Sequence, residues 1–243
     1  MVKRSELQAR KDMVLALAIG QYIKTVAPVS SAYIANETPM DCSSATIRNI
    51  FMELEEDGFL THPHTSAGRI PTQKGYRYYV DHLMHEIQLL EEEKLRIKEE
   101  YEQESFELEA LLENTSRVLA EITHYTSIIS VDGWGTKLFC QGTSFVVDYP
   151  EVQDTNKIRQ ILAALEEKRC LVDLINQDLE KKIDIFIGHE LVLKEINSCA
   201  LVISKYRTKR GPTGRLAVLG PVRMDYERVV CALDYFSRLM EEV

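Results

Sequence analysis

The stretch that decides the fold runs from Ser43 to Asp81, SSATIRNIFMELEEDGFLTHPHTSAGRIPTQKGYRYYVD. Up to Asp57-Gly58 it has a helical period. At 100° per residue Ile47, Ile50, Phe51 and Leu54 share one stripe that must face a core, while Ala45, Arg48, Asn49 and Met52 fall on or beside the opposite face. Cys42 and Ile47 flank Ser43 as a hydrophobic staple, which starts the helix, and Asp57-Gly58 is a C-cap signal. The acidic residues Glu53, Glu55, Glu56 and Asp57 are confined to the last turns. A DNA-recognition helix works through its N-terminal residues, where small side chains permit close approach and Arg and Asn offer bidentate pairs. Ser43, Ser44, Ala45, Thr46, Arg48 and Asn49 meet that need. A capped amphipathic surface helix with a merely solvated Arg48 and Asn49 would carry the same pattern.

The flanking residues favour the first reading. Phe59-Leu60-Thr61 and Arg69-Ile70-Pro71 read as short strands around the tip 62–68, where Gly68 gives turn freedom. There Arg69 and the hydroxyls of Thr65 and Ser66, with His64, are placed to meet phosphates or a minor groove. Thr72 caps a following helix through Tyr76, Tyr79, Val80 and Leu83. Upstream, Ser5 and Gln8 form a capping-box pattern for a first helix with Leu7, Val14, Leu15, Ala18 and Tyr22 inward, broken at Pro28. Val29 and Ile34 around Ser30 start a short second helix that Pro39 ends. Two short helices joined by a tight turn, followed by a hairpin, make a winged helix-turn-helix over residues 1–85.

Residues 86–122 form a helical connector. Positions three and four apart (Ile87, Leu90, Lys94, Ile97, Tyr101, Glu104, Leu108, Leu111, Thr115, Val118, Ile122) are mostly apolar, interrupted at Lys94, Glu104 and Thr115. That seam suits a helix packed on its own domain or one packed against a partner subunit. Residues 123–243 read as α+β, with strands at Thr126–Asp132, Thr136–Cys140, Thr143–Asp148, Ile183–Ile187, Ala200–Tyr206 and Arg215–Leu219. A helix from about Thr155 buries Ile158, Ile161, Leu162 and Leu165. A last helix after Asp225 turns Val229, Ala232, Leu233, Phe236 and Leu239 inward. A basic Lys-Arg-Gly-Pro-Thr-Gly turn joins the final strand pair.

Residues 43–81 closely resemble the DNA-binding domain of the HrcA family, bacterial heat-inducible transcription repressors. A second match is the GPVRMDY run at 220–226, preceded by CALVISKY and GPTGRLAVLG; IGHE at 187–190 and the helix NKIRQILAALEEKRCLVDLI fit the same family. The resemblance implies a GAF-like fold for residues 123–243 and repression of chaperone operons from an inverted-repeat operator bound by a homodimer. It also implies help from the chaperonin GroEL. The family has a longer middle, with an inserted segment associated with dimer contacts. This chain passes from Ser130-Val131-Asp132 to Phe139 in a few residues, so the insert is largely absent and the family's dimer geometry does not carry over.

Composition narrows the rest. The 243 residues carry 29 Lys+Arg against 38 Asp+Glu, a net charge of −9. Residues 1–85 hold nine of each sign, so the whole excess lies in 86–243, and a polyanion partner must be met by the N-terminal part. The charged N-terminus and the lack of an 18-residue apolar run predict a soluble, cytoplasmic protein with no membrane partner. Five cysteines (Cys42, Cys140, Cys170, Cys199, Cys231) without a CxxC pair read as reduced, mostly buried thiols. His62, His64, His82, His85 and Glu86 lack the companions a metal site needs, so neither metal nor cofactor is expected. There is no P-loop and no G-x-S-x-G elbow. Asp225 reads as a helix N-cap and Trp134 as cover for a sheet edge, so no catalytic residue is expected. The rival reading is a regulator whose C-terminal domain senses a small molecule or metal; a third is an adaptor that has lost DNA binding.

Overall fold

A computed structural model describes residues 2–38, 42–63, 68–102, 108–149, 154–176, 179–209 and 211–242. It has two compact units, Met1–His85 and Glu86–Val243.

In the first unit α1 (Val2–Thr25), α2 (Ser31–Glu37) and α3 (Ser44–Glu56) precede the hairpin β1 (Leu60–Thr61) and β2 (Ile70–Pro71). Then α4 (Gln73–Tyr78) runs on into a π turn over Tyr79–Leu83. Val14, Leu15, Ala18 and Ile19 of α1 close over Ile34, Ile47, Ile50, Phe51 and Leu54, all buried. The helix begins at Val2, ahead of the expected Ser5 cap, and Leu7 is 47% exposed rather than inward. Residues 6–10 are all exposed, because α1 meets the core only from its second half. Tyr22 is half-buried. Thr72 caps α4 by accepting from the Gly75 N–H at 3.1 Å, and its own N–H donates to the Phe59 carbonyl at 3.0 Å. The expected stop at Pro39 lies outside the described residues.

The second unit holds α5 (Glu91–Glu102), α6 (Leu108–Thr123), β3 (Thr126–Val131), β4 (Leu138–Gln141), α7 (Thr155–Glu166), α8 (Lys168–Ile175), β5 (Ile183–Ile187), β6 (Cys199–Arg207), β7 (Thr213–Pro221) and α9 (Tyr226–Glu242). The sheet is antiparallel throughout in the order β4-β3-β7-β6-β5. One face, with Ile128, Leu201, Ile203, Ala217 and Leu219, packs on Ile161, Leu165, Leu171, Leu174 and Ile175 of α7 and α8. The other carries α6 and α9. Ser116 of α6 donates to the Phe139 carbonyl at 3.2 Å. With both faces covered, all six residues of β3 are buried.

Of the two settings open to the connector seam the structure shows the first: Leu111, Thr115, Val118 and Ile122 are buried against this chain's own sheet and α9. Glu104 and the side chain of Tyr101 lie outside what is described. Thr143–Asp148 is a 3-10 helix rather than a strand: Gly142, at φ +77, turns the chain off the sheet edge so that Val146 drops into the core beside α7. Of the five cysteines only Cys199 is fully buried; the others are half-buried thiols.

Candidate nucleic-acid interface

Alternating caps and staples in the sequence set the α2–α3 geometry. The Ser30 hydroxyl accepts from the Tyr33 N–H at 3.1 Å, with Val29 and Ile34 buried as the staple. The Ser43 hydroxyl accepts from the Thr46 N–H at 3.1 Å and lies 3.0 Å from the Thr46 hydroxyl. Ser31 and Ser44 share a hydrogen bond of 3.2 Å, which ties the first turn of α2 to that of α3. Ser43, Ala45, Thr46, Arg48 and Asn49 are exposed together on the N-terminal half of α3, and Ser44 is half-buried. Ser43 and Ser44 therefore fix the helix entry.

Glu53 and Glu55 of α3, and Asp57 at its C-cap, pair with side chains from elsewhere in the unit. Lys11 of α1 lies 2.8 Å from Glu53 and 3.3 Å from Asp57. The hydrogen bond to Glu53, then that to Asp57, raises the Lys11 pKa against the opposing cost of burial. Glu55 takes Arg69 at 2.9 Å and also pairs with His62. The early turns of α3 thus present Arg48 and Asn49, with Glu53, Glu55 and Asp57 behind them engaged in ion pairs. A surface of this kind can approach a polyanion although the unit's formal charge is zero.

The wing has a short ladder, Leu60↔Pro71 and Thr61↔Ile70, extended by a bridge between Val29 and Arg69. Both backbone bonds of that bridge are short: the Val29 N–H donates to Arg69 O at 2.8 Å and the Arg69 N–H to Val29 O at 2.9 Å. The tip residues His64, Thr65 and Ser66 lie outside the described residues. Arg69 sits at the wing's base, its guanidinium on Glu55 and its side chain only 17% exposed. Sequence reasoning missed Lys11, Glu55 and His62. Lys11 lies more than forty residues from its partners and Glu55 pairs across the hairpin, beyond the reach of local spacing; the one local sign was a run of carboxylates in need of counterions.

Elsewhere, Asp225 caps α9: its carboxylate accepts from the Arg228 N–H at 3.1 Å. The Trp134 ring lies 6.4 Å from that of Phe139 on the edge strand β4, with the Lys137 ammonium 5.1 Å from the indole. The His82 ring lies 4.7 Å from that of Tyr78, tilted by 58°. Among the described residues no three His, Cys, Asp or Glu side chains gather as metal ligands, and no helix is long and apolar enough to cross a membrane.

A helix-turn-helix with a hairpin wing, joined in one chain to an α+β unit, defines a winged-helix transcription regulator. Residues 131–230 match the family described as HrcA protein C terminal domain. Over nearly its whole length the chain is similar to heat-inducible transcription repressors of the HrcA family. It is 27% identical to the heat-inducible transcription repressor HrcA of Desulforamulus reducens, with 96% of each chain covered. It is 28% identical to that of Symbiobacterium thermophilum, covering 96% of this chain and 98% of the relative. The first of these alignments spans 332 positions against the 243 residues of this chain, so the relative carries residues that have no counterpart here. In fold, the chain is similar to the crystal structure of a hypothetical protein, with a TM-score of 0.75 at 20% identity, covering 95% of this chain and 96% of that one.

Proposed function

We propose that this repressor binds an inverted-repeat operator as a homodimer, each winged helix reading one half-site from the major groove. The supporting observation is the exposed first half of α3, where Arg48 and Asn49 stand clear while the carboxylates behind them are held by Lys11, Arg69 and His62. Arg48 and Asn49 make the base contacts. Ala45 permits close approach and Thr46 flanks the phosphates. Ser43 and Ser44 position the helix, and His64, Thr65 and Ser66 meet the backbone from the wing, with Arg69 at its base. A two-fold protein matches a palindromic site, which is the reason for the dimer. The family's role points to chaperone operons as targets and to GroEL as the partner that keeps the repressor active.

The inserted segment that the resemblance associates with dimer contacts has no counterpart between Asp132 and Phe139, so on this reading the chain pairs by another surface. The test is selection of bound duplexes from a random pool, followed by a gel-shift titration at fixed salt. The Arg48→Ala variant should lose about 1–3 kcal/mol on the enriched site and tolerate more bases at one position of each half-site. An enriched pool without two-fold symmetry would remove the dimeric reading, and unchanged affinity would remove Arg48.

A further inference from the structure

We propose that Glu55 is the positioning residue that sets the wing against the recognition helix, by holding Arg69 and His62 with one carboxylate. The inference rests on the DNA-binding reading above and deepens it.

The hairpin cannot hold its own attitude. Each strand has two residues, and Pro71, one of the four, has no N–H to give to the ladder. A two-stranded hairpin is marginal without further packing. Two attachments compensate. One is the backbone bridge from Arg69 to Val29, which fixes the returning leg beside the start of α2. The other is Glu55, in the last turn of α3, which binds Arg69 on the returning leg and His62 on the outgoing leg. His62 and Arg69 are the residues next beyond the Thr61↔Ile70 pair, at the point where the hairpin leaves its ladder. One carboxylate therefore ties both legs of the wing to the helix that enters the groove. Charge-assisted hydrogen bonds of this sort are directional and shorter-ranged than simple attraction, so they set an angle as well as a distance. Glu55 and Arg69 are only 25% and 17% exposed, which limits competition from water.

The competing role for this trio is that Arg69 is a phosphate ligand masked by Glu55. The two roles predict opposite signs. If Glu55 positions the wing, its loss weakens binding; if it masks Arg69, its loss frees a cation and tightens binding.

The experiment uses the full chain and the duplex enriched by the wild-type protein, with anisotropy titrations over a range of salt and hydroxyl-radical footprints. Glu55→Gln should weaken binding roughly ten-fold, about 1.4 kcal/mol. Protection should vanish at the flanking positions reached by the wing and persist at the centre of each half-site. Arg69→Gln should do the same, and the double variant should be no weaker than either single one, because both remove one device. The salt slope should hold in Arg69→Gln, whereas loss of a phosphate contact lowers it by about one. Equal or tighter binding by Glu55→Gln, with flanking protection intact, overturns the inference. If Glu55→Gln does not fold, Arg69→Lys decides: lost flanking protection supports the clamp, since an ammonium cannot reproduce the guanidinium fork, and retained protection refutes it. A wild-type chain that enriches no sequence overturns the DNA-binding reading itself and the inference with it.

Discussion

At Gly68 a Cβ would stand 2.4 Å from the Val29 carbonyl oxygen and 2.6 Å from its carbon, both main-chain atoms that cannot step aside. Gly68→Ala should therefore push the returning leg of the wing off Val29 and cost about 1–3 kcal/mol, read as a shift of the urea midpoint. A larger loss in DNA affinity than in stability would place the damage in the wing. Lys11 makes a different kind of contribution. Its partners Glu53 and Asp57 are 42% and 49% exposed, and ion pairs to solvated carboxylates contribute little, so Lys11→Met should change stability by less than about 1 kcal/mol. It uncovers Glu53 and Asp57 on the helix proposed to enter the groove, however, and should weaken binding more at low salt than at high salt. In the second unit burial pushes the Cys140 thiol from its ordinary value of 9.0 up to about 11. The unfolded thiol then ionises first as pH rises, so the stability linked to this group is intact below about pH 9 and is lost between about 9 and 11. Urea midpoints at pH 8 and pH 10 should differ more for the wild type than for Cys140→Ala. Residue roles governed by local pattern, such as the Ser30, Ser43, Thr72 and Asp225 caps, are legible in the sequence because the partner atoms lie within three residues. The place of Arg69 is not, since its carboxylate partner is set by the hairpin's path and not by spacing.

Elements follow the same division. The apolar stripe of α3 is fully buried as its period requires, and Ser43→Ala should cost about 1 kcal/mol by removing the cap, measurable in thermal melts. That variant also removes the hydroxyl link to Thr46 at the end proposed to meet DNA, so operator affinity should fall with stability. For α6 the periodicity gives the inward face correctly and leaves open what covers it; the answer is a sheet in the same chain. A seam of Leu111, Thr115, Val118 and Ile122 tolerates Thr115 because its hydroxyl donates to the Leu111 carbonyl at 2.8 Å. Position 143–148 shows the limit of strand patterns. Phe145, Val146 and Val147 have strand-forming side chains, but an upstream glycine in the left-handed region redirects the chain before pairing can continue. β4 likewise starts at Leu138, two residues later than expected, because the turn with Gly133 and Gly135 uses Thr136 and Lys137 to close.

At the scale of the molecule, each unit has its own apolar core, and the charge follows the same partition. The first unit is formally neutral, and the second carries the whole excess of −9. Residues 86–243 expressed alone should melt in one cooperative transition and fail to shift the selected duplex. A broad, non-cooperative melt would mean that the second unit needs the first. The turn between β3 and β4 has a use beyond this. Gly133 and Gly135 both have positive φ, and a Cβ on either would meet nothing within 4 Å. Its legs are secured separately, by Trp134 against Phe139 and by Lys137 against Glu109. Lengthening a flexible loop is cheap, about 0.6 kcal/mol for each doubling. The tip is therefore a natural splice port: a fluorescent reporter grafted there would leave the sheet's register alone and light up the regulator in living cells.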